Sequence, residues 1–203
     1  MQDLILAAQD VQAFLDQHGW RFCFIGGLAL QRWGIPRLTR DMDISLFTGF
    51  GQEDAVIGPL IERFPARIPD PAAFARRSRV LLLRTAGGIG IDIALAGFPF
   101  EEEIIQRATM EEYLPGIRLR ICSAEDLVVL KAFADRTQDW ADIEGILARQ
   151  GQAIDRAMIR ARLAPLAELK EAPHLIERWE SLTGLASQAP KAKGRRPRRS
   201  RPA

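Results

Sequence analysis

Histidine and cysteine are scarce in this chain of 203 residues, with two of each. His18 and His174 lie far apart, and Cys23 and Cys122 sit singly in apolar stretches, so the paired ligand spacing of a zinc site is missing. The two cysteines read instead as buried free thiols of a cytosolic protein. No apolar run approaches the ~18 residues that a membrane span needs. The first nineteen residues carry Asp3, Asp10 and Asp16 and no small-residue cleavage site, so they do not read as a signal peptide. No internal repeat is visible. The expected location is the cytoplasm, with no membrane partner.

What is present is 47% hydrophobic and 27% charged sequence, the balance of a soluble globular chain. Its length suffices for one sizeable core with room for a small second lobe. The formal net charge of +2 conceals an asymmetry: residues 191–203, KAKGRRPRRSRPA, hold seven Lys or Arg and no acid. Setting that +7 aside leaves residues 1–190 at −5. The tail has too little apolar surface to fold and is expected to be disordered over 185–203. It would attract polyanions such as RNA by releasing their counterions, or serve only as a solubilising end.

Leu4, Ile5, Ala8, Val11, Phe14 and Leu15 recur at a helical period, and Gly19 fits a position just past that helix. Residues 21–25 read as a buried strand stopped by Gly26-Gly27, and residues 28–33 as a short helix ended by Gly34 and Pro36. Residues 41–47 alternate as a strand does, and residues 52–63 look helical. Two apolar runs, 80–85 and 89–96, flank Ala86-Gly87-Gly88, a hairpin signal. Residues 117–122 alternate as another strand. From Ser123 the pattern turns helical, with serine placed as a cap and Glu125 and Asp126 in the first turn. Helices are expected near 124–134, 138–149, 155–163 and 173–182. The fold class is therefore α/β, a mixed sheet flanked by helices over residues 1–122, followed by a helical region over 123–184 and the basic tail.

The chain has thirteen Asp, so chance alone supplies about 0.8 Asp-x-Asp motifs, and context must decide what the one present means. In Asp41-Met42-Asp43-Ile44-Ser45-Leu46, strand alternation puts Met42, Ile44 and Leu46 on a core face and Asp41, Asp43 and Ser45 on the other. Two carboxylates then stand side by side, with Cα atoms about 7 Å apart. They repel one another unless one is protonated or a divalent cation stands between them. Oxygen ligands of this kind suit Mg²⁺. Asp92 lies on a strand face with Gly90 and Ala94, whose small size leaves room for an ion or substrate. Read alone, it is equally a half-exposed edge-strand acid. Gly26-Gly27 would let backbone N–H groups approach a phosphate at a helix start, or form an ordinary turn. Arg37, Thr39 and Arg40 just precede the acids and would contact phosphate, brace the carboxylates, or be solvated.

The run Ile25-Gly26-Gly27-Leu28-Ala29, then Arg37-Leu38-Thr39-Arg40-Asp41-Met42-Asp43-Ile44, resembles the signature of the DNA polymerase β-like nucleotidyltransferase superfamily. Its Arg-x-Thr-x-Asp-x-Asp form is most similar to the AbiEii/AbiGii-type and minimal nucleotidyltransferases of toxin–antitoxin systems. Asp92 matches the third carboxylate of that family, and Ser123 to Leu127 with Lys131, Arg136, Asp139 and Asp142 resembles its following helical segment. The resemblance covers residues 20–147 or so. It implies a nucleotidyltransferase fold and transfer of NMP from an NTP, such as ATP, to a hydroxyl acceptor, whether protein, tRNA or small molecule. It also implies two Mg²⁺ ions, with Mn²⁺ an alternative, held by Asp41, Asp43 and Asp92 as the catalytic set. Gly26, Gly27, Arg37, Thr39, Arg40 and Lys131 would bind nucleotide, Asp139 would brace the site, and a cognate toxin or antitoxin would be a partner. Gly27 stands where the wider superfamily often has serine, at the loss of one phosphate contact. Read without the family, the 131–142 charges are an ion-paired helix surface. A nucleotide- or partner-binding module without catalysis is the alternative function.

Overall fold

The computed structural model describes residues 1–184, so the basic tail lies outside the described residues. Helix α1 (Gln2–Gln17) leads through Gly19, whose φ of +67° turns the chain, into β1 (Phe22–Ile25). Then follow α2 (Gly26–Trp33), β2 (Asp41–Phe47), α3 (Asp54–Arg63), α4 (Pro71–Ser78), β3 (Val80–Arg84) and β4 (Gly90–Ala96). Next come α5 (Pro99–Gln106), β5 (Thr109–Leu114) and β6 (Ile117–Ile121). The last stretch is all helix: α6 (Ala124–Ala134), α7 (Thr137–Gln150), α8 (Arg156–Leu169) and α9 (His174–Thr183).

The six strands form one mixed sheet in the order β3-β4-β2-β1-β6-β5. β1 runs antiparallel to β2 and parallel to β6, β2 runs parallel to β4, and β3 and β5 are antiparallel edges. This is the helix-flanked mixed sheet that the sequence pattern calls for. The core-facing sides of the central strands, Phe22, Phe24, Met42, Ile44, Ile91 and Ile93, are fully buried. One apolar core continues from α1 through these strands into α6, α7, α8 and Trp179 of α9. Ser123 caps α6 as expected, its Oγ accepting from the Asp126 N–H at 3.1 Å. The expected 80–96 hairpin forms β3 and β4, closed by Thr85 N–H to the Ile89 carbonyl.

Three elements lie where the sequence reading placed none: α4, α5 and β5. α5 is started by Pro99 and by Glu101, whose carboxylate accepts the N–H groups of Gly97 and Phe98. β5 alternates poorly because it is an edge strand, half-exposed along most of its length. α8 runs six residues beyond its expected end, through Pro165.

Candidate active site

The sheet brings the three sequence-distant acids to one place. β2 and β4 pair in parallel with Asp43 opposite Asp92 and Asp41 opposite Gly90. Side chains of paired residues share a face, so Asp41, Asp43 and Asp92 project together on the side away from Met42, Ile44 and Ile91. On the other flank of β2, Asp43 is the partner of Ile25, the last residue of β1. The chain therefore turns into Gly26 and Gly27 beside the Asp43 carboxylate. Gly26 has φ +56°, and a Cβ built on it would run into that carboxylate, so both conformation and space demand glycine there. The Gly27 N–H donates to Asp43 Oδ2 at 3.3 Å, and a Cβ on Gly27 would meet the Thr39 hydroxyl. Helix α2 thus starts at Gly26, two residues earlier than the apolar spacing predicts.

Each carboxylate has a protein partner. Asp41 Oδ1 accepts from Thr39 Oγ1 at 3.2 Å. Asp92 Oδ1 accepts from the Arg67 guanidinium, on the segment between α3 and α4. Arg40 is exposed and makes no ion pair among the described residues. Burial pushes the Asp43 carboxyl above the usual range, and the Asp41 charge adds to this. The Gly27 N–H bond and the Lys131 charge pull the other way. Burial also pushes Asp92 up, with Arg67 opposing and Asp41 assisting. The acids sit close enough to feel one another, yet no three His, Cys, Asp or Glu side chains among the described residues form a ready-made metal cage.

Beside Asp43 lies a second, buried network. Lys131 of α6 is 6% exposed, with Nζ 2.6 Å from Asp142 Oδ2 and 3.2 Å from Asp139 Oδ1. Arg136 Nε reaches Asp139 Oδ2 at 2.6 Å, and Arg37 Nε reaches Asp142 Oδ1 at 3.1 Å. Gln138 adds a bond to Asp142 at 2.9 Å. Burial pushes the Asp142 carboxyl up, but the bonds from Arg37, Lys131 and Gln138 outweigh it and hold it below the usual range. Read as a helix surface, these charges would be solvated; α6 and α7 pack on α2 and on each other and bury Lys131, Asp139 and Asp142, while Arg37 and Arg136 reach them from exposed positions. The Asp43 charge reaches Arg136, and the Lys131 charge reaches Asp43, so the two groups form one electrostatic unit.

Arg67 is the residue that sequence reasoning missed. It lies twenty-five positions before Asp92 in an irregular segment, brought to the site by an isolated bridge to β3 in which its N–H donates to the Leu82 carbonyl and the Arg84 N–H to the Pro65 carbonyl. A surface cavity of about 800 Å³ is lined by Gln31, Arg32, Glu111, Tyr113 and Arg149 among others, and by none of the three acids.

Comparison with solved structures finds similar folds. An antigenic nucleotidyltransferase-like protein from Paracoccidioides brasiliensis is 16% identical, with TM-score 0.51 over 89% of this chain and 93% of that one. ANT(2'')-Ia in complex with adenylyl-2''-tobramycin is also 16% identical, with TM-score 0.51 over 83% of this chain and 95% of that one. At this identity the likeness establishes the fold, that of the nucleotidyltransferases. Comparison with the curated proteins gives no match. The profile of the nucleotidyl transferase AbiEii toxin family, of type IV toxin–antitoxin systems, matches residues 10–199. With nearly the whole chain matched, the protein belongs to the AbiEii family and is a nucleotidyltransferase.

Proposed function

We propose that this protein moves a nucleoside monophosphate from an NTP to a hydroxyl acceptor, with Asp41, Asp43 and Asp92 as ligands of two divalent cations, Mg²⁺ or Mn²⁺. The observation that carries this reading is strand register: Asp43 opposite Asp92, with Asp41 on the same face, at the edge of the Gly26-Gly27 corner. The donor set fits such ions. It is all oxygen, and burial, with help from Asp41, raises the Asp43 and Asp92 carboxyls, a cost to the ionised forms that a bound cation would offset. Binding would turn Asp92 away from Arg67, while the Thr39 hydroxyl keeps hold of Asp41 Oδ1.

Cations bound there would draw charge from the phosphates and lower the pKa of the acceptor hydroxyl. The remaining steps belong to the chain. Asp92, at the β4 end of the cluster, takes the hydroxyl proton. The acceptor oxygen bonds to the α-phosphorus as the bond to the bridging oxygen of the β-phosphate breaks, and pyrophosphate leaves with that electron pair. The start of α2 at Gly26-Gly27 would receive the triphosphate at its backbone N–H end, with the two glycines making room for Asp43 and Thr39 beside it. Arg40, exposed and free of ion pairs among the described residues, binds phosphate by its guanidinium. Thr39 orients Asp41. Lys131 sets the potential at Asp43 and the nucleotide, with Asp139 fixing Lys131 and Asp142 fixing both Lys131 and Arg37. The acceptor is a protein, tRNA or small-molecule hydroxyl, and the toxin–antitoxin setting of the family brings a cognate partner protein.

Incubation with each α-labelled NTP, Mg²⁺ or Mn²⁺ and candidate acceptors tests this directly. Label should pass to an acceptor with the wild type and fall to background with Asp41→Ala or Asp43→Ala, while both variants keep their circular dichroism. Unchanged turnover in either variant would count against the assignment. A non-catalytic module would instead show an NTP-dependent rise in melting temperature and no transfer.

A further inference from the structure

The contact between Arg67 and Asp92 places a fixed positive charge on a carboxylate that the proposed function assigns to a cation. Arg67 is held from behind: its N–H donates to the Leu82 carbonyl at 3.0 Å, and the neighbouring Ala66 bridges Leu83. Leu82 pairs with Asp92, and Asp92 with Asp43, so Arg67 continues a row that runs across the sheet into the acidic cluster. Its guanidinium lies over Gly90. A Cβ there would stand 3.2 Å from Arg67 Nη1 and 3.2 Å from the Asp41 Cβ. The guanidinium therefore fills the space between the Asp41 and Asp92 columns, the space that the small residue at position 90 leaves open. Both side chains of the pair are about one-third exposed, 32% for Arg67 and 31% for Asp92, so the contact can exchange with solvent ions.

We infer that Arg67 is a built-in competitor for the divalent cation at Asp92, a positioning residue that holds this carboxylate in the metal-free enzyme and yields it when the ion arrives. The inference rests on the proposed metal assignment of Asp41, Asp43 and Asp92. A tethered guanidinium and a divalent ion cannot both take the same carboxylate oxygen, so each weakens the binding of the other. Because the backbone of Arg67 stays pinned to β3, the displaced guanidinium remains beside the site and returns when the ion leaves. The pair thus keeps the acidic cluster partly neutralised without metal, and it sets the cation concentration at which the site fills.

The test is a Mn²⁺ titration followed by electron paramagnetic resonance, on the full chain without nucleotide, for wild type, Arg67→Ala, Arg67→Lys, Asp92→Asn and the Arg67→Ala/Asp92→Asn double variant. Arg67→Ala should bind Mn²⁺ about two- to fivefold more tightly than wild type, the size set by a partly exposed ion pair. Arg67→Lys should stay near wild type, and the gain should vanish in the Asp92→Asn background. A gain that persists with Asp92→Asn, or equal affinity in wild type and Arg67→Ala, overturns the inference while leaving the metal assignment standing. If Mn²⁺ binds neither wild type nor Arg67→Ala, the metal assignment itself fails, and the inference with it. Melting temperature adds a readout independent of turnover. Without metal, Arg67→Ala should melt below wild type, and saturating Mn²⁺ should close the gap.

Discussion

A carboxylate kept uncomfortable by its burial is the residue-scale feature of this protein. Asp43 is pushed above the usual range first by burial and then by Asp41. The proton is thus bound more tightly in the folded than in the unfolded chain. The ionised form costs stability, and that cost grows as pH rises from the ordinary carboxyl value through the raised one. Metal-free protein should therefore lose stability across that window, and Asp43→Asn, which keeps an oxygen for the Gly27 N–H, should flatten the loss and melt higher than wild type. Calorimetry between pH 3 and 7 without divalent ions would check this; a variant less stable than wild type at pH 7 would refute it. Gly26 has the opposite character. Its φ of +56° and its contact with Asp43 leave no room for a side chain. Gly26→Ala should cost about 1–2 kcal/mol from the left-handed backbone alone and displace Asp43. The glycine pair and the Asp-x-Asp were legible in the sequence because local pattern carries them. Arg67 was not, because nothing in residues 64–70 repeats at any period, and its position depends on an isolated bridge to β3.

At the scale of elements, alternation and apolar spacing were enough to find the strands that bear the acids, and they fixed which face each acid takes. They failed where burial is one-sided or short: α4 has a single buried residue, Ala75, and β5 is a half-exposed edge. Spacing also misjudged the α6–α7 pair, because a charge pattern does not say whether a neighbouring helix covers it. Lys131, Asp139 and Asp142 are 6%, 2% and 6% exposed, so their pairing is a packing matter and not a surface ornament. Lys131→Met leaves two buried acids short of one partner each. Arg136 and Arg37 still reach them, so the loss should be about 3 kcal/mol, the low end for a broken buried pair. In a chain of this size that lowers the melting temperature by about 6–12 °C. Arg136→Ala removes a partner that is 76% exposed and should cost below about 1 kcal/mol. Equal losses for the two variants would contradict the buried network.

The whole molecule combines an acidic body with a basic end. Residues 1–190 carry −5 and residues 191–203 carry +7. Affinity for single-stranded RNA should therefore reside in the tail and weaken with salt, with a log–log slope no steeper than about −5 for seven cations. Deleting residues 191–203 should remove most of that affinity; binding unchanged by the deletion would leave the tail as a solubilising end. No helix among the described residues is long and apolar enough to cross a membrane. Sheet topology brings the acids together: Asp43 and Asp92, forty-nine positions apart, become neighbours because β4 adds in parallel to β2. Anomalous diffraction from crystals grown with Mn²⁺ and a non-hydrolysable NTP analogue would therefore be decisive. The expected map has Mn²⁺ between the Asp41 and Asp43 side chains, with Asp92 freed from Arg67 and turned toward the ion, and the triphosphate against Gly26-Gly27. Ions and nucleotide seated elsewhere, for instance in the cavity of Arg32, Glu111 and Arg149, with the Arg67–Asp92 pair intact, would contradict it.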